Sequence, residues 1–143
     1  MVDWALENVP PTTNPSVLEI GCGNGTLVLA LVEAGYAATH LSGIDYSPGA
    51  VKLASSIAAI RGEGISFSDC DFLKEEPPLL SHMEEGVWDL LLDKGTFDAI
   101  ALGEKDEKGR LPAVNYPRRI QQLLAPGGYF LITCMCKPKY SSI

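Results

Sequence analysis

The chain is poor in the residues that build metal centres and membrane spans. It has two histidines and four cysteines in 143 residues. The cysteines, Cys22, Cys70, Cys134 and Cys136, form no CxxC pair, so the well-spaced ligand set of a structural zinc site is missing and no metal is expected. Cys134-x-Cys136 reads as two small apolar side chains on one strand face rather than a redox pair. No apolar run approaches the roughly 18 residues that cross a bilayer, so no membrane partner is expected. The opening Met1-Val2-Asp3-Trp4 carries an acid and no basic stretch, which argues against a secretory signal. Reduced thiols in the cytoplasm, and also the nucleus, are then the expected setting.

Basic residues are also scarce. Lysine plus arginine number 11 against 18 acids, a net charge of −7. Residues 1–104 hold 16 acids and 4 bases (net −12), whereas residues 105–143 hold 2 and 7 (net +5). A direct nucleic-acid surface needs a basic footprint and is not expected. An acidic body suits a basic or cationic partner, and a solvated acidic surface explains the same charge equally well. Apolar residues at 46% and charged ones at 20% make an ordinary globular composition. The length fits a single domain, 1–143, and leaves no room for two.

What is present is a repeating alternation of short apolar runs and helical patterns. Val17 to Ile20 reads as a buried strand ending in a glycine loop, Gly21 to Gly25, and Thr26 to Ala34 has helical spacing stopped by Gly35. His40 to Asp45 is a second strand, followed by Ser47 as a helix cap and Pro48 in a first-turn position, with a helix to about Ile60 and Gly62 beyond it. Ile65 to Ser68 is a third strand, and Lys74 to Pro78 a polar loop. Val87 to Leu92 is a fourth strand, Gly95 to Leu102 a short helix, and Glu104 to Pro112 a surface loop. Pro117 opens a helix to Leu124, Pro126-Gly127-Gly128 is a turn, and Tyr129 to Cys134 is a fifth strand. Strands apolar on both faces and separated by helices ask for a parallel sheet covered on both sides, the doubly wound α/β class. Ligands in such sheets bind at the carboxyl ends of the strands where strand order reverses.

Four motifs fall at those ends. The loop after the first strand is GxGxG, with Glu19 two positions before its first glycine. A carboxylate there would repel the pyrophosphate that a GxGxxG loop cradles, so a dinucleotide oxidoreductase is disfavoured. It could pair with a cationic group, as on S-adenosylmethionine, which has a sulfonium, an ammonium and no phosphate. Asp45, 20 positions after Gly25, stands where a carboxylate accepts from both ribose hydroxyls, or caps the following turn. Tyr46 beside it shields an adenosine or simply packs. In Ser68-Asp69-Cys70-Asp71-Phe72-Leu73, Asp71 and Phe72 suit an adenine amino group and ring, the alternative being an exposed acidic turn. Asp93 and Lys94 end the fourth strand over the expected reaction centre; a capping acid and a solvated lysine are the plainer readings.

The set LEIGCGNG, GIDYSP, CDFL, DKGTFDAI and LAPGGYFLIT resembles the seven-β-strand S-adenosylmethionine-dependent methyltransferases over about residues 17–134. GIDYSP with DKGTFDAI is similar, more narrowly, to the lysine methyltransferases of eukaryotic elongation factor 1-alpha. The resemblance implies a Rossmann-like, mostly parallel sheet. It implies S-adenosylmethionine as cofactor, leaving as S-adenosylhomocysteine, with Glu19, Gly21, Cys22, Gly23 and Asn24 along its methionine side. By the same resemblance Asp45 lies at the ribose, Asp71 and Phe72 at adenine, and Asp93 and Lys94 by the methyl group as the catalytic pair, with Tyr46 and Asp93 counted among the cofactor-binding residues. The implied substrate is a protein lysine, on a translation elongation factor.

The chain departs from that family at both ends. Residues 1–16 are shorter than the aromatic-bearing segment that closes over the cofactor in the family, and 135–143 is an unusual tail where two further strands would follow. The expectation is therefore a sheet lacking its last strands, with an apolar fifth strand free to pair with a partner. A non-catalytic binding form, or a methyltransferase acting on a small molecule or another protein, are the alternatives.

Overall fold

The structure, a computed structural model, describes residues 1–61, 63–103, 107–109 and 111–133. Gly62, parts of the 104–112 loop, Cys134, Cys136 and the 135–143 tail lie outside the described residues. Among those described, no helix is long and apolar enough to cross a membrane.

The sheet grows outward from its first strand. β1 (Val17–Ile20) is buried along its whole length and pairs with β2 (Leu41–Asp45) on one side and β4 (Trp88–Lys94) on the other. β3 (Ser66–Asp69) continues beyond β2, and β5 (Leu124–Thr133) beyond β4, giving the order β3-β2-β1-β4-β5 with every pairing parallel. Parallel neighbours need crossovers, and helices supply them. α2 (Thr26–Glu33) and α3 (Pro48–Ile60) serve the first half, α4 (Thr96–Ala101) and α5 (Tyr116–Leu123) the second. The chain reverses direction across the sheet between β1 and β4, which opens a crevice at their carboxyl ends. This is the doubly wound arrangement that the alternating pattern predicts.

Successive side chains of β4 feed two cores. Leu90 and Leu92 join Val17, Val28 and Leu31 on one face, while Leu91 joins Leu18, Ile20, Ile120 and Leu123 on the other. Trp88 breaks the alternation, because it shares the core of Leu91. The cause is local: the amides of Asp89 and Leu90 both donate to Ser16 O, at 3.0 and 3.2 Å, and the pairing with β5 shifts at the same place. An extra residue there turns the strand.

Two segments differ from the sequence expectation. Pro126-Gly127-Gly128 is not a turn ahead of the fifth strand but a bulge inside it. Trp88 pairs with Leu124 and Leu90 with Tyr129, so the intervening residues are looped out with Gly127 at φ +76. The segment before β1 folds as α1 (Val2–Asn8), with Ala5 fully buried. It packs in the core of α2; the Tyr36 hydroxyl donates to Val9 O at 2.7 Å, and Trp4 meets the Tyr129 ring edge-on at 5.4 Å. None of α1 lines the crevice.

Candidate functional site

A cleft of about 510 Å³ occupies the crevice. Of the residues expected at a site, Gly21, Asp45, Tyr46, Asp71, Phe72 and Lys94 line it. Glu19, Cys22, Gly23, Asn24 and Asp93 do not, and each has a different reason.

The glycine loop is shaped by backbone geometry first. Gly21, Gly23 and Gly25 all sit at positive φ, where a side chain is strained. Gly21 is the tightest, since a β-carbon there would stand 1.7 Å from Thr96 Oγ1. Thr96 itself is tethered, its hydroxyl donating to Ile20 O at 3.0 Å. Asp45 then holds the loop open. Its Oδ2 accepts from the Gly23 amide and its Oδ1 from the Ser47 amide, both at 2.9 Å. A carboxylate offers about four acceptor directions, so Asp45 keeps capacity for a ligand hydroxyl.

Cys22 turns away from the cleft and packs against Gly43. Burial pushes its thiol up to about 12, with the Glu19 and Asp45 charges adding to the effect, so it stays protonated. Asn24 is exposed and works locally, its Oδ1 accepting from the Thr26 amide at 3.3 Å and the Thr26 hydroxyl at 2.6 Å. Gly23 gives its amide to Asp45. At the far wall Asp71 braces its own turn, accepting from the Leu73 amide at 3.1 Å, and Phe72 is 5% exposed. Asp69 is exposed and outside the cleft, and Tyr46 stands out at 81% exposure.

Glu19 is the anomaly. It is 3% exposed, in the middle of the sheet, and its Oε1 has no hydrogen-bond partner. Burial pushes its carboxyl from 4.5 up to about 8; Lys94 pulls it back, and Asp93 and Asp45 push it further. An orphaned buried carboxyl is costly unless something satisfies it.

Asp93, expected beside the reacting atoms, lies near the end of β4 and is not among the residues that line the cleft. It is fully buried, and its carboxylate accepts three hydrogen bonds. Oδ1 accepts from the Thr96 amide at 2.7 Å, and Oδ2 from the Phe97 amide at 3.0 Å and from the Tyr116 hydroxyl. It fastens α4 to the end of β4. Lys94, its neighbour, is exposed at the rim of the cleft.

Three residues that structure the site escape a reading of the motifs. Thr96 lies inside the DKGTFDAI motif but carries no local hint that it closes on Gly21. Tyr116 and Arg119 come from α5, far along the chain. Arg119 is 8% exposed and clamps the turn after β3, donating from Nε to Phe72 O and from Nη2 to Glu75 O, both at 2.8 Å.

The sequence comparison bears directly on this cleft. A methyltransferase domain family model matches residues 11–141, which include all five strands and the whole cleft. The chain belongs to the methyltransferase-domain family. Among the relatives of this methyltransferase-domain chain is the protein-lysine N-methyltransferase EFM4 of Saccharomyces cerevisiae, 36% identical over 93% of this chain and 58% of the relative. Human EEF1A lysine methyltransferase 2 is also 36% identical, over 93% of this chain and 52% of its own length. The chain therefore spans little more than half the length of these curated relatives. Among solved structures, an S-adenosylmethionine-dependent methyltransferase from Mesorhizobium loti superposes with a TM-score of 0.58 at 25% identity, covering 92% of this methyltransferase-domain chain and 53% of that one.

Proposed function

We propose that the cleft binds S-adenosylmethionine and that the chain transfers its methyl group to a lysine side chain of a protein, a translation elongation factor of the 1-alpha type, in the cytoplasm and also the nucleus. The single observation that carries the cofactor is Glu19. Its buried, unpartnered Oε1 suits an ammonium group, which favours the ionised carboxylate, whereas a phosphate would oppose that ionisation. The substrate class is supported by the printed names of the relatives. The acidic balance of residues 1–104, 16 acids against 4 bases, suits a basic protein surface.

The remaining residues fit the rest of the cofactor. Glu19, the αL glycine backbone at Gly21 and the amide-bearing loop would hold the methionine end, Asp45 the ribose hydroxyls, and Asp71 with Phe72 the adenine. When bound, the cofactor supplies a methyl group on a sulfonium that is already electrophilic. The protein's share is alignment, exclusion of water and delivery of a neutral amine. A free lysine has a pKa of about 10.4, so the incoming amine must shed its proton first. Lys94 at the rim disfavours a second cation nearby and so favours the neutral amine. Asp93 acts by holding α4 and Thr96 in place.

Calorimetric titration with S-adenosylmethionine and S-adenosylhomocysteine tests the first half of the reading; saturable 1:1 binding is expected, and none by a folded chain rejects it. Radiolabelled methyl transfer to recombinant elongation factor 1-alpha tests the second, and label on small metabolites alone rejects the protein substrate.

One observation favours a second reading, a binding form that pairs through β5. Among the described residues β5 ends the sheet order, with Tyr129 46% and Ile132 36% exposed. Light scattering behind size-exclusion chromatography separates the two readings, since a clean monomer removes the pairing.

A further inference from the structure

The helix α5 gives no residue to the cleft, yet two of its side chains, one turn apart, reach the elements that form the cleft's opposite walls. Tyr116 is 3% exposed and donates its hydroxyl to Asp93 Oδ2. Asp93 in turn receives the Thr96 and Phe97 amides, and Thr96 ties to Ile20 O and stands against Gly21. That route runs from α5 through α4 to the glycine loop without a gap. Three residues on, Arg119 clamps the turn that carries Phe72. Nε and Nη2 donate to Phe72 O and Glu75 O at 2.8 Å, and Nη1 to Gln122 Oε1 at 2.8 Å and Glu76 Oε1 at 2.9 Å.

Resting on the cofactor reading above, we propose that α5 is the positioning helix of the cleft: Tyr116 sets the glycine-loop wall through Asp93, and Arg119 sets the Phe72 wall through the 72–76 turn. Magnitudes favour this over incidental packing. Glu76 is 74% exposed, so its ion pair with Arg119 contributes little. The contacts to Phe72 O and Glu75 O are made by a guanidinium that is nearly buried, where losing a charged donor costs most. Asp93 is a fully buried anion with three donors, so it cannot lose Tyr116 and keep the same position cheaply. The Tyr116 phenol is pushed upward by burial and then by Asp93, which makes it a fixed donor across the working pH range. Neither residue lines the cleft; the Tyr116 ring also meets Phe72 edge-on at 5.3 Å, a contact that Tyr116→Phe retains, and the Arg119 guanidinium lies 5.8 Å from the Phe72 ring.

The two arms have separable signatures. The full chain, its Tyr116→Phe variant and its Arg119→Lys variant are each titrated with S-adenosylhomocysteine and with adenosine, which probes only the nucleoside end. Tyr116→Phe is expected to weaken S-adenosylhomocysteine about tenfold and leave adenosine within about twofold. Arg119→Lys is expected to weaken both by a similar factor of about ten. Hydrogen exchange gives a parallel readout: the Thr96 and Phe97 amides speed up in the first variant, those of Leu73 and Lys74 in the second. Equal losses in both variants, no loss in either, or exchange that rises uniformly overturns the assignment, because a merely structural role gives no such split. If either variant does not fold, Asp93→Asn and Arg119→Gln carry the same comparison. If the unmodified chain binds neither probe, the cofactor reading itself fails and this assignment falls with it. A chain that binds both while its variants fail to split overturns this assignment alone.

Discussion

The two walls of the cleft are built by different kinds of bond. The glycine-loop side of β1 and β2 is held by neighbours in the strand order. Asp45 reaches the Gly23 and Ser47 amides, Asn24 caps Thr26, and three glycines adopt the left-handed backbone that the turn requires. The start of α4 and the turn after β3 are instead pinned by side chains that come from α5, Tyr116 on Asp93 and Arg119 on the Phe72 carbonyl, the latter 47 residues apart. A local wall tolerates loss of one bond because the backbone conformation survives. A wall pinned by distant side chains moves as a unit when one pin is lost.

The sharpest break in this contrast is where the walls meet. Gly21→Ala is expected to cost about 3 kcal/mol or more, from positive φ and from the collision with Thr96 combined, read by urea denaturation. Thr96→Gly in the same chain should recover part of it; no recovery would mean the contact between the walls is not what fixes Gly21.

Next is Glu19→Gln, whose effect depends on pH. The folded pKa of about 8 lies above the unfolded value of 4.5, so the native state holds the extra proton between them and wild-type stability falls as pH rises across that window. The variant lacks this loss. Its stability relative to wild type should grow from pH 4.5 to 8, reaching a few kcal/mol, and stay level above 8. Urea midpoints taken from pH 5 to 9 check it, and parallel curves for the two proteins contradict it. The same variant should bind S-adenosylmethionine at least tenfold more weakly.

A pin of the distant wall comes third. Arg119→Ala leaves Phe72 O and Glu75 O without their donors and should cost about 2–3 kcal/mol of stability. The local wall gives the smallest effect. Asp45→Asn keeps one acceptor for the Gly23 and Ser47 amides and should cost about 1 kcal/mol, while weakening S-adenosylhomocysteine about tenfold by titration. A stability loss at Asp45 larger than at Arg119 would reverse the comparison.

The same division explains what was legible in the sequence. Val17 to Ile20, the glycines and Asp45 announce themselves, because strand period, turn chemistry and a carboxylate at a strand end are local signals. The β order follows from alternation and from the rule that parallel strands need crossovers. Asp93 reads as the end of the fourth strand, but nothing nearby in sequence shows that Tyr116, 23 residues further on, donates to it. Arg119 reads as one of two adjacent arginines on a helix, with no mark that it is the buried one. The Pro126-Gly127-Gly128 bulge has turn composition, and only the pairing of Leu124 with Trp88 places it inside a strand. α1 is seven residues long, too short for its periodicity to declare itself, and is fixed by Ala5 and Trp4 packing.

On the proposed reading, the unpartnered oxygen of Glu19 makes ligand entry an exchange of cations. Near neutral pH the carboxyl carries a proton, because its pKa is about 8. A positively charged group arriving at Glu19 displaces that proton into solvent. The heat of binding then includes the ionisation heat of whatever buffer takes the proton up. Two buffers at one pH would report different enthalpies for the same complex, and affinity would climb with pH until the carboxyl is already ionised.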